Sequence, residues 1–190
     1  MTEALQIKFY IEQIALHSDI EAFEKLFYCY YKRLKNFAYA ILKSSQLAEE
    51  ASSDVFVILW KNRAHLIEIE NINSYLYVAT RNVALRMLQR EKKELFFDID
   101  LVNENLVSSS ADTPEKILLN NEIINRLDGA IDTLPPRCKL IYKLAKHDGL
   151  KLKEIADILN ISVKTVDAQL AIAVKRITQS IRLSFLEQNK

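Results

Sequence analysis

The sequence predicts an all-α protein built from two small helical domains. Apolar residues recur at the three- and four-residue spacing of amphipathic helices through most of the 190 residues. Only two glycines and three prolines interrupt the chain, so long helices with few turns are expected. Strand-like alternation is confined to residues 66–70, which are too few to build a sheet.

Consecutive helices are predicted in the first half of the chain. The sequence Ser-Asp-Ile-Glu at 18–21 has the form of a capping box, with Ser18 as the N-cap of a long helix. Polar residues at 44–46 end this helix, a second helix extends to about residue 63, and a third covers about 73–93. The expected buried face of the long helix consists of Phe23, Leu26, Phe27, Tyr30, Leu34, Phe37, Ala38 and Ile41.

An acidic linker is predicted between the domains. Residues 95–112 lose helical periodicity, and we interpret them as an extended or disordered segment between a domain at 1–94 and a domain at 113–190. Residues 72–93 carry five Lys or Arg and one Glu, whereas residues 94–115 carry six Asp or Glu and no Lys or Arg. The second domain again has an excess of basic residues, so the net charge of +1 conceals two basic blocks around an acidic connector.

The second half ends in a helix-turn-helix pattern at residues 153–166. Thr113 and Pro114 are expected to begin the first helix of this half, and Gly149 to end the helix before the pattern. Within the pattern, Ala156 is small enough to let two helices approach closely, and Asn160 tolerates the left-handed backbone of a sharp corner. Ser162 can cap the second helix, and the inward-facing residues are Ile155, Leu159, Ile161 and Val166. The pattern favours a helix that lies in a DNA groove over an ordinary helical corner.

The last helix is predicted to have an apolar and a DNA-facing side. Gln169 can pair with adenine, Asp167 can accept from a cytosine amino group, and the lysines suit phosphate contacts. A solvated surface is the alternative for this side. The apolar stripe is expected to contain Val163, Val166, Leu170, Ala173, Ile177 and Ile181. The candidate DNA-binding residues are Lys164, Thr165, Asp167, Ala168, Gln169, Ala171 and Lys175.

Residues 75–86 combine aromatic, basic and amide side chains in one predicted helix. Aromatic rings stack on unpaired bases and cations follow phosphates, which is the chemistry of single-strand binding. An amphipathic helix with tyrosines at its border is the alternative. The expected inner stripe is Leu76, Thr80, Val83 and Met87.

Several classes of function are disfavoured. No apolar run approaches the roughly 18 residues of a membrane span, and the N-terminus lacks a signal-peptide pattern, so a cytoplasmic location is expected. Cys29 and Cys138 are isolated, which favours reduced thiols over a disulfide or metal site. The three histidines are scattered, and there is no Gly-rich phosphate loop or nucleophile–base grouping. We therefore expect no catalytic residue, no metal or other cofactor, and no small-molecule substrate.

The order of these segments resembles a known family. DIEAFEKLF at 19–27 resembles the start of region two of sigma-70-type RNA polymerase sigma factors, and AEEASSDVFVILW at 48–60 resembles the polymerase-binding helix of that region. YLYVATRN at 75–82 is similar to the segment that melts and reads the −10 element. LPPR at 134–137, with the helix-turn-helix, resembles region four, which reads the −35 element. The resemblance is to the extracytoplasmic-function (ECF) group, whose members contain only these two regions.

The resemblance implies a protein that binds core RNA polymerase, directs it to promoter DNA and opens the duplex. Members are often held inactive by a membrane-anchored anti-sigma factor, which is therefore a candidate partner, and their linker threads the polymerase interior. Asn82 matches the position that holds a flipped base. The residues implied at the −10 element are Tyr75, Tyr77, Arg81, Asn82 and Arg86. Those implied at the polymerase are Glu50, Asp54, Leu59 and Trp60.

The chain departs from the family pattern in its last helix. Many members carry Arg at the positions of Asp167, Gln169 and Ile172, so a different −35 sequence is expected here. Two other functions remain open from the residues alone. A polymerase-independent repressor or activator would use the same helix-turn-helix but leaves the helix around 49–60 unexplained. A helical adaptor without a DNA role would not need the lysines of the last helix.

Overall fold

The computed structural model describes residues 3–91 and 126–188. The chain divides into two compact units, and these two ranges belong to one unit each. Within them every regular element is helical and no strand occurs, which confirms the all-α prediction. The helices in these ranges include none with the length and apolar character needed to span a membrane. The predicted linker at 95–112 and the predicted helix start at Thr113 lie outside the described residues.

The first unit is a bundle around one long helix. Its elements are α1 (Glu3–His17), α2 (Ile20–Leu42), α3 (Ser45–Lys61), a 3-10 helix (Arg63–Glu68) and α4 (Ile72–Glu91). Helix α2 packs against α1, α3 and α4, while α1 also contacts the 3-10 helix. The larger side chains that are almost fully buried in this unit are Ile14, Leu26, Leu34, Val55, Leu59, Leu66, Leu76 and Tyr77. Burying each aliphatic side chain of this size contributes roughly 1.5–3 kcal/mol, so these contacts fix how α3 and α4 face the solvent.

The N-cap of α2 is Asp19, and the prediction of Ser18 was wrong by one residue. Asp19 has an extended backbone, and its Oδ1 accepts from the amides of Glu21 at 2.8 Å and Ala22 at 3.1 Å. Ser18 instead has a positive φ of 52° and accepts from Arg63 Nε at 2.8 Å. A cap residue needs an extended backbone, so the left-handed Ser18 cannot take that position.

The second unit contains the helix-turn-helix. Its elements are the described part of α5 (126–132), α6 (Pro136–Tyr142), a π-helical turn (Lys143–His147), α7 (Leu152–Leu159) and α8 (Val163–Gln188). Helix α8 packs against both α6 and α7. The prolines at 135 and 136 separate α5 from α6, because Pro is tolerated only in the first turn of a helix.

The turn between α7 and α8 has the predicted chemistry. Asn160 has φ 55° and Gly149 has φ 71°, which are the left-handed conformations expected at these two helix ends. Ser162 Oγ accepts from the Thr165 amide at 3.0 Å and so caps α8. Ala156 is buried between the two helices. The sequence prediction of the helix-turn-helix is confirmed at each of these positions.

The buried stripe of α8 is shorter than predicted. Val166, Ala173 and Ile177 are buried, and Leu170 and Ile181 are half-buried. Val163 is 44% exposed, so its assignment to the apolar stripe was wrong. It is the first residue of the helix, and angular position alone does not tell whether a neighbouring helix reaches the end of a face.

Candidate promoter and polymerase interfaces

The first two turns of α8 present small and polar side chains to solvent. Asp167 and Ala168 are exposed, while Thr165 is half-buried with its hydroxyl 2.8 Å from that of Ser162. A surface of this kind can approach base edges closely, because small side chains do not hold a helix out of the major groove. The exposed candidates in α8 are Lys164, Asp167, Ala168, Ala171 and Lys175.

Gln169 differs from the other candidates because its amide is already engaged. It is half-buried, and its Oε1 lies 2.8 Å from Sγ of Cys138 in α6. The bidentate pairing with adenine that the sequence suggested needs both ends of the amide. The contact with Cys138 therefore competes with that pairing.

Cations border the exposed face of α8. Lys164, Lys175 and Arg182 are exposed along one helix, and Lys151 and Lys153 are exposed at the start of α7. Cations at both helices can contact phosphates on either side of a groove, which positions the protein without reading sequence.

The exposed side of α4 carries an amide and a guanidinium one turn apart. Asn82 and Arg86 are exposed, and Arg86 Nε donates to the backbone carbonyl of Asn82 at 3.3 Å. Arg81 is half-buried, and its buried Nε has no hydrogen-bond partner among the described residues. Tyr75 is half-buried at the start of the helix. The Asn82 side chain is thus available to an incoming base.

Tyr77 does not belong to this surface. It is 1% exposed and packs edge-on against Phe37 of α2, with the ring centroids 5.2 Å apart. Its predicted role beside a flipped base was wrong, because a side chain buried between α4 and α2 cannot stack on DNA. It shares the buried side of α4 with Leu76 and Thr80.

The exposed side of α3 carries two carboxylates, Glu50 and Asp54, at a spacing of one helical turn. Neither makes an ion pair within residues 3–91, whereas the neighbouring Glu49 accepts from Lys35 at 2.6 Å. That hydrogen bond and the charge of Lys35 lower the pKa of Glu49. Glu50 and Asp54 are therefore the carboxylates of α3 that remain open to a partner.

Leu59 cannot contact a partner directly. It is fully buried in the core of the first unit, so its prediction as a polymerase-binding residue was wrong. It lies on the buried side of α3 with Ala48, Ser52 and Val55, at intervals of three and four residues. Trp60 is half-buried, with Phe23 edge-on at 4.9 Å and the guanidinium of Arg63 at 4.9 Å over its ring.

An aromatic surface on α2 was missed from the sequence. Phe27 stacks on Tyr31 at 4.6 Å, packs against Phe56 of α3 and lies beside Tyr28, which is 72% exposed. The signal was present as aromatic residues at 23, 27 and 31, each four positions apart, but Phe23 and Phe27 were predicted as core residues and Tyr31 was not singled out. Exposed aromatic rings are enriched in protein interfaces.

Comparison with known proteins identifies both units. The family model described as Sigma-70 region 2 matches residues 26–94, and the one described as Sigma-70, region 4 matches residues 124–177. The chain is 24% identical over 150 residues to RNA polymerase sigma factor YlaC of Bacillus subtilis, covering 79% of this chain and 86% of that protein. It is 24% identical over 169 residues to ECF RNA polymerase sigma factor RpoE of Cereibacter sphaeroides, covering 86% and 88%. The chain belongs to the ECF group of the sigma-70 family.

One further sequence relative and two solved structures are also similar to this sigma factor. It is 25% identical over 153 residues to the ferric citrate uptake sigma factor FecI of Escherichia coli, covering 80% of this chain and 87% of that one. The fold is similar to CnrH, solved with the cytosolic domain of CnrY, with TM-score 0.53, 16% identity and coverage of 94% and 98%. It is also similar to Bartonella quintana RpoE, solved with the anti-sigma factor NepR, with TM-score 0.54, 16% identity and coverage of 86% and 98%.

The matched regions contain the described candidate surfaces of the sigma factor. Region 2 includes α3 and α4, and region 4 includes α7 and α8 as far as Ile177. The protein is therefore a factor for transcription initiation. A polymerase-independent regulator is disfavoured because it accounts for the second region and leaves the first without a role. No group of three or more His, Cys, Asp or Glu able to hold a metal occurs within residues 3–91 and 126–188.

Proposed function

We propose that the three exposed surfaces divide the work of promoter recognition and opening. The exposed side of α3 binds core RNA polymerase, α4 holds a base of the opened −10 element, and α8 contacts the −35 element. One observation supports this division above others. The polar residues Asn82 on α4 and Lys164 on α8 are exposed on sides opposite the buried stripes, each within its matched sigma-70 region.

The polymerase-binding surface combines charge with aromatic area. Glu50 and Asp54 supply carboxylates for basic residues of the polymerase, and Tyr28, Phe27 and Trp60 supply flat apolar contacts. Leu59 supports this surface from beneath, because its side chain fills the core under α3. Charged groups at the rim steer association, whereas buried aromatic contacts provide most of the affinity.

The −10 surface offers a hydrogen-bonding amide on a rigid helix. Extruding a base costs a few kcal/mol, and a pocket that binds the flipped base offsets that cost. Asn82 can donate to and accept from a base edge, with Arg86 next to it for a phosphate. Because α4 is packed against α2 and α3, this amide is presented without prior rearrangement of the helix.

The −35 surface depends on phosphate contacts by lysine. We expect the double substitution Lys164→Glu and Lys175→Glu to weaken holoenzyme binding to all −35 sequences alike. Each lost contact should reduce the slope of log affinity against log salt by about 1. For each single substitution, Lys164→Glu or Lys175→Glu, the charge-matched control is Lys8→Glu on the exposed side of α1. Filter binding across a salt series measures both quantities. A change of sequence preference with an unaltered slope would assign these lysines to base contacts instead.

Regulation by an anti-sigma factor is part of the proposal. CnrH and Bartonella quintana RpoE were solved with CnrY and with NepR, respectively. A partner of that kind would compete with polymerase for exposed surface on α2 and α3. We further propose a cytoplasmic location and no catalytic activity of the chain itself, because the reaction chemistry belongs to the polymerase.

Run-off transcription tests the function as a whole. Purified protein is mixed with core RNA polymerase on fragmented genomic DNA, and the 5′ ends of the transcripts are mapped. We expect discrete start sites that are absent with core polymerase alone, preceded by a shared pair of sequence blocks. Promoter binding by the chain alone, with no start sites in the presence of core enzyme, would favour a polymerase-independent regulator.

A further inference from the structure

A hydrogen bond joins α8, the proposed recognition helix, to α6 of the same unit. Sγ of Cys138 lies 2.8 Å from Oε1 of Gln169, across 31 residues of sequence. Cys138 is a free thiol with 3% of its surface exposed, packed with Ala130, Leu134, Ala173 and Ile177. Gln169 is half-buried and follows the exposed Ala168 in α8. One end of its amide is thus fixed by the protein.

The direction of this hydrogen bond follows from the chemistry of the two groups. Burial raises the pKa of the Cys138 thiol, and the nearby Arg176 and Arg137 oppose this change without overcoming it. The thiol is therefore protonated at neutral pH and donates, and Gln169 accepts through its carbonyl oxygen. Because Oε1 lies against Cys138, the NH2 group is the end of the amide that remains for a base edge.

An amide held in this way reads bases differently from a free one. Bidentate recognition of adenine requires the glutamine oxygen to accept from N6 and the nitrogen to donate to N7. Cys138 occupies one lone pair of this oxygen and holds the oxygen against α6, so the end of the amide presented to a base carries donors only. Guanine presents two acceptors, O6 and N7, in the major groove, and so it matches a donor-only group best.

We propose that Cys138 is a positioning residue that presents Gln169 as a hydrogen-bond donor, so that the recognition helix prefers guanine over adenine at one base pair of the −35 element. The inference rests on the proposed function of α8. It also replaces the adenine pairing expected from the sequence. Cys138 itself does not touch DNA, because it is buried beneath α8.

The test is a promoter selection with holoenzyme. A library randomised over the −35 element is transcribed, and the transcripts are sequenced to give base preferences at each position. Gln169→Ala identifies the base pair that Gln169 contacts, because discrimination there is lost. We expect Cys138→Ala to shift the guanine-to-adenine ratio at that base pair about five-fold toward adenine, the change that one neutral hydrogen bond brings. Cys138→Ser should restore the wild-type ratio, since a hydroxyl also donates.

Two further variants separate positioning from a general structural effect. In the Gln169→Ala background, Cys138→Ala should change nothing at that base pair. Gln169→Glu keeps the acceptor for the thiol but removes the NH2 group, so we expect preference to move from guanine to cytosine. Retention of guanine by Gln169→Glu would overturn the proposal even if Cys138→Ala folds poorly. An unchanged ratio in Cys138→Ala, or equal loss at every position, would also overturn it.

The outcome is distinguishable from failure of the proposed function. Suppose that the wild-type holoenzyme initiates at discrete promoters and that only the Cys138 variants give unexpected results. The proposed roles of the α3, α4 and α8 surfaces are then retained, and the positioning role of Cys138 is rejected. If the wild-type chain supports no initiation, the proposed function fails first.

Discussion

Asn82→Ala should slow promoter opening by roughly 10- to 100-fold while changing core polymerase affinity by less than about two-fold. The expected loss corresponds to about 1–3 kcal/mol, the cost of removing a hydrogen-bonding partner from a buried polar group, here the flipped base. Polymerase affinity should be retained because Asn82 is exposed on α4, whereas the proposed polymerase contacts Glu50 and Asp54 are on α3. Permanganate reactivity of unpaired thymines follows opening, and fluorescence anisotropy follows polymerase binding.

The chain provides a matched control for this substitution. Gln89 is also an exposed amide on α4, two helical turns further along, and Gln89→Ala should leave opening unchanged. A template already unpaired across the −10 element should restore most of the activity of Asn82→Ala, because the cost of opening has been removed. Equal loss of opening and of polymerase binding would contradict the assigned role.

Leu59→Ala should lower the stability of the first unit by about 2–5 kcal/mol, the range for truncating a buried leucine. The side chain is fully buried, so the substitution leaves a cavity beneath α3. Thermal or urea unfolding of the full chain, followed by circular dichroism, measures the loss. Polymerase binding should fall only to the extent that the folded population falls, and it should recover at lower temperature.

Asp54→Arg should weaken polymerase binding without lowering stability, which is the reverse of the result expected for Leu59→Ala. The side chain is exposed and makes no ion pair within residues 3–91, so its substitution should leave unfolding within about 0.5 kcal/mol of the wild type. Polymerase binding should weaken, because a carboxylate is replaced by a cation at the proposed contact. Glu70→Arg, exposed before α4, is the charge-matched control. If Leu59→Ala lost polymerase binding without a loss of stability, Leu59 would have to be assigned to the polymerase interface after all.

The positions of the helices were predicted well from the sequence. The side of the helix on which a given side chain lies was predicted less well. The helix-turn-helix was predictable because Ala156, Asn160 and Ser162 each meet a local steric or capping requirement. Leu59 and Tyr77 were misassigned because family resemblance carries over a residue's place in a motif and not the side of the helix it occupies. Helical spacing already placed each of them with buried neighbours, and that signal should have been given precedence.

Other features depend on contacts between distant segments and could not be predicted. The hydrogen bond between Cys138 and Gln169 joins two helices separated by the whole of α7 and its turns. Ser18 and Asp19 are both good capping residues, and in the structure the Ser18 hydroxyl instead accepts from Arg63, 45 residues away. Local propensity does not contain such information.

The setting of Trp60 gives the protein an intrinsic optical reporter. It is the single tryptophan of the chain, and it lies half-buried at the edge of α3 against Phe23 and beneath the Arg63 guanidinium. Its emission therefore comes from the first unit alone, and docking of a large partner on that edge would dehydrate the indole and shift the spectrum to the blue. Association can thus be followed in real time without attaching a dye.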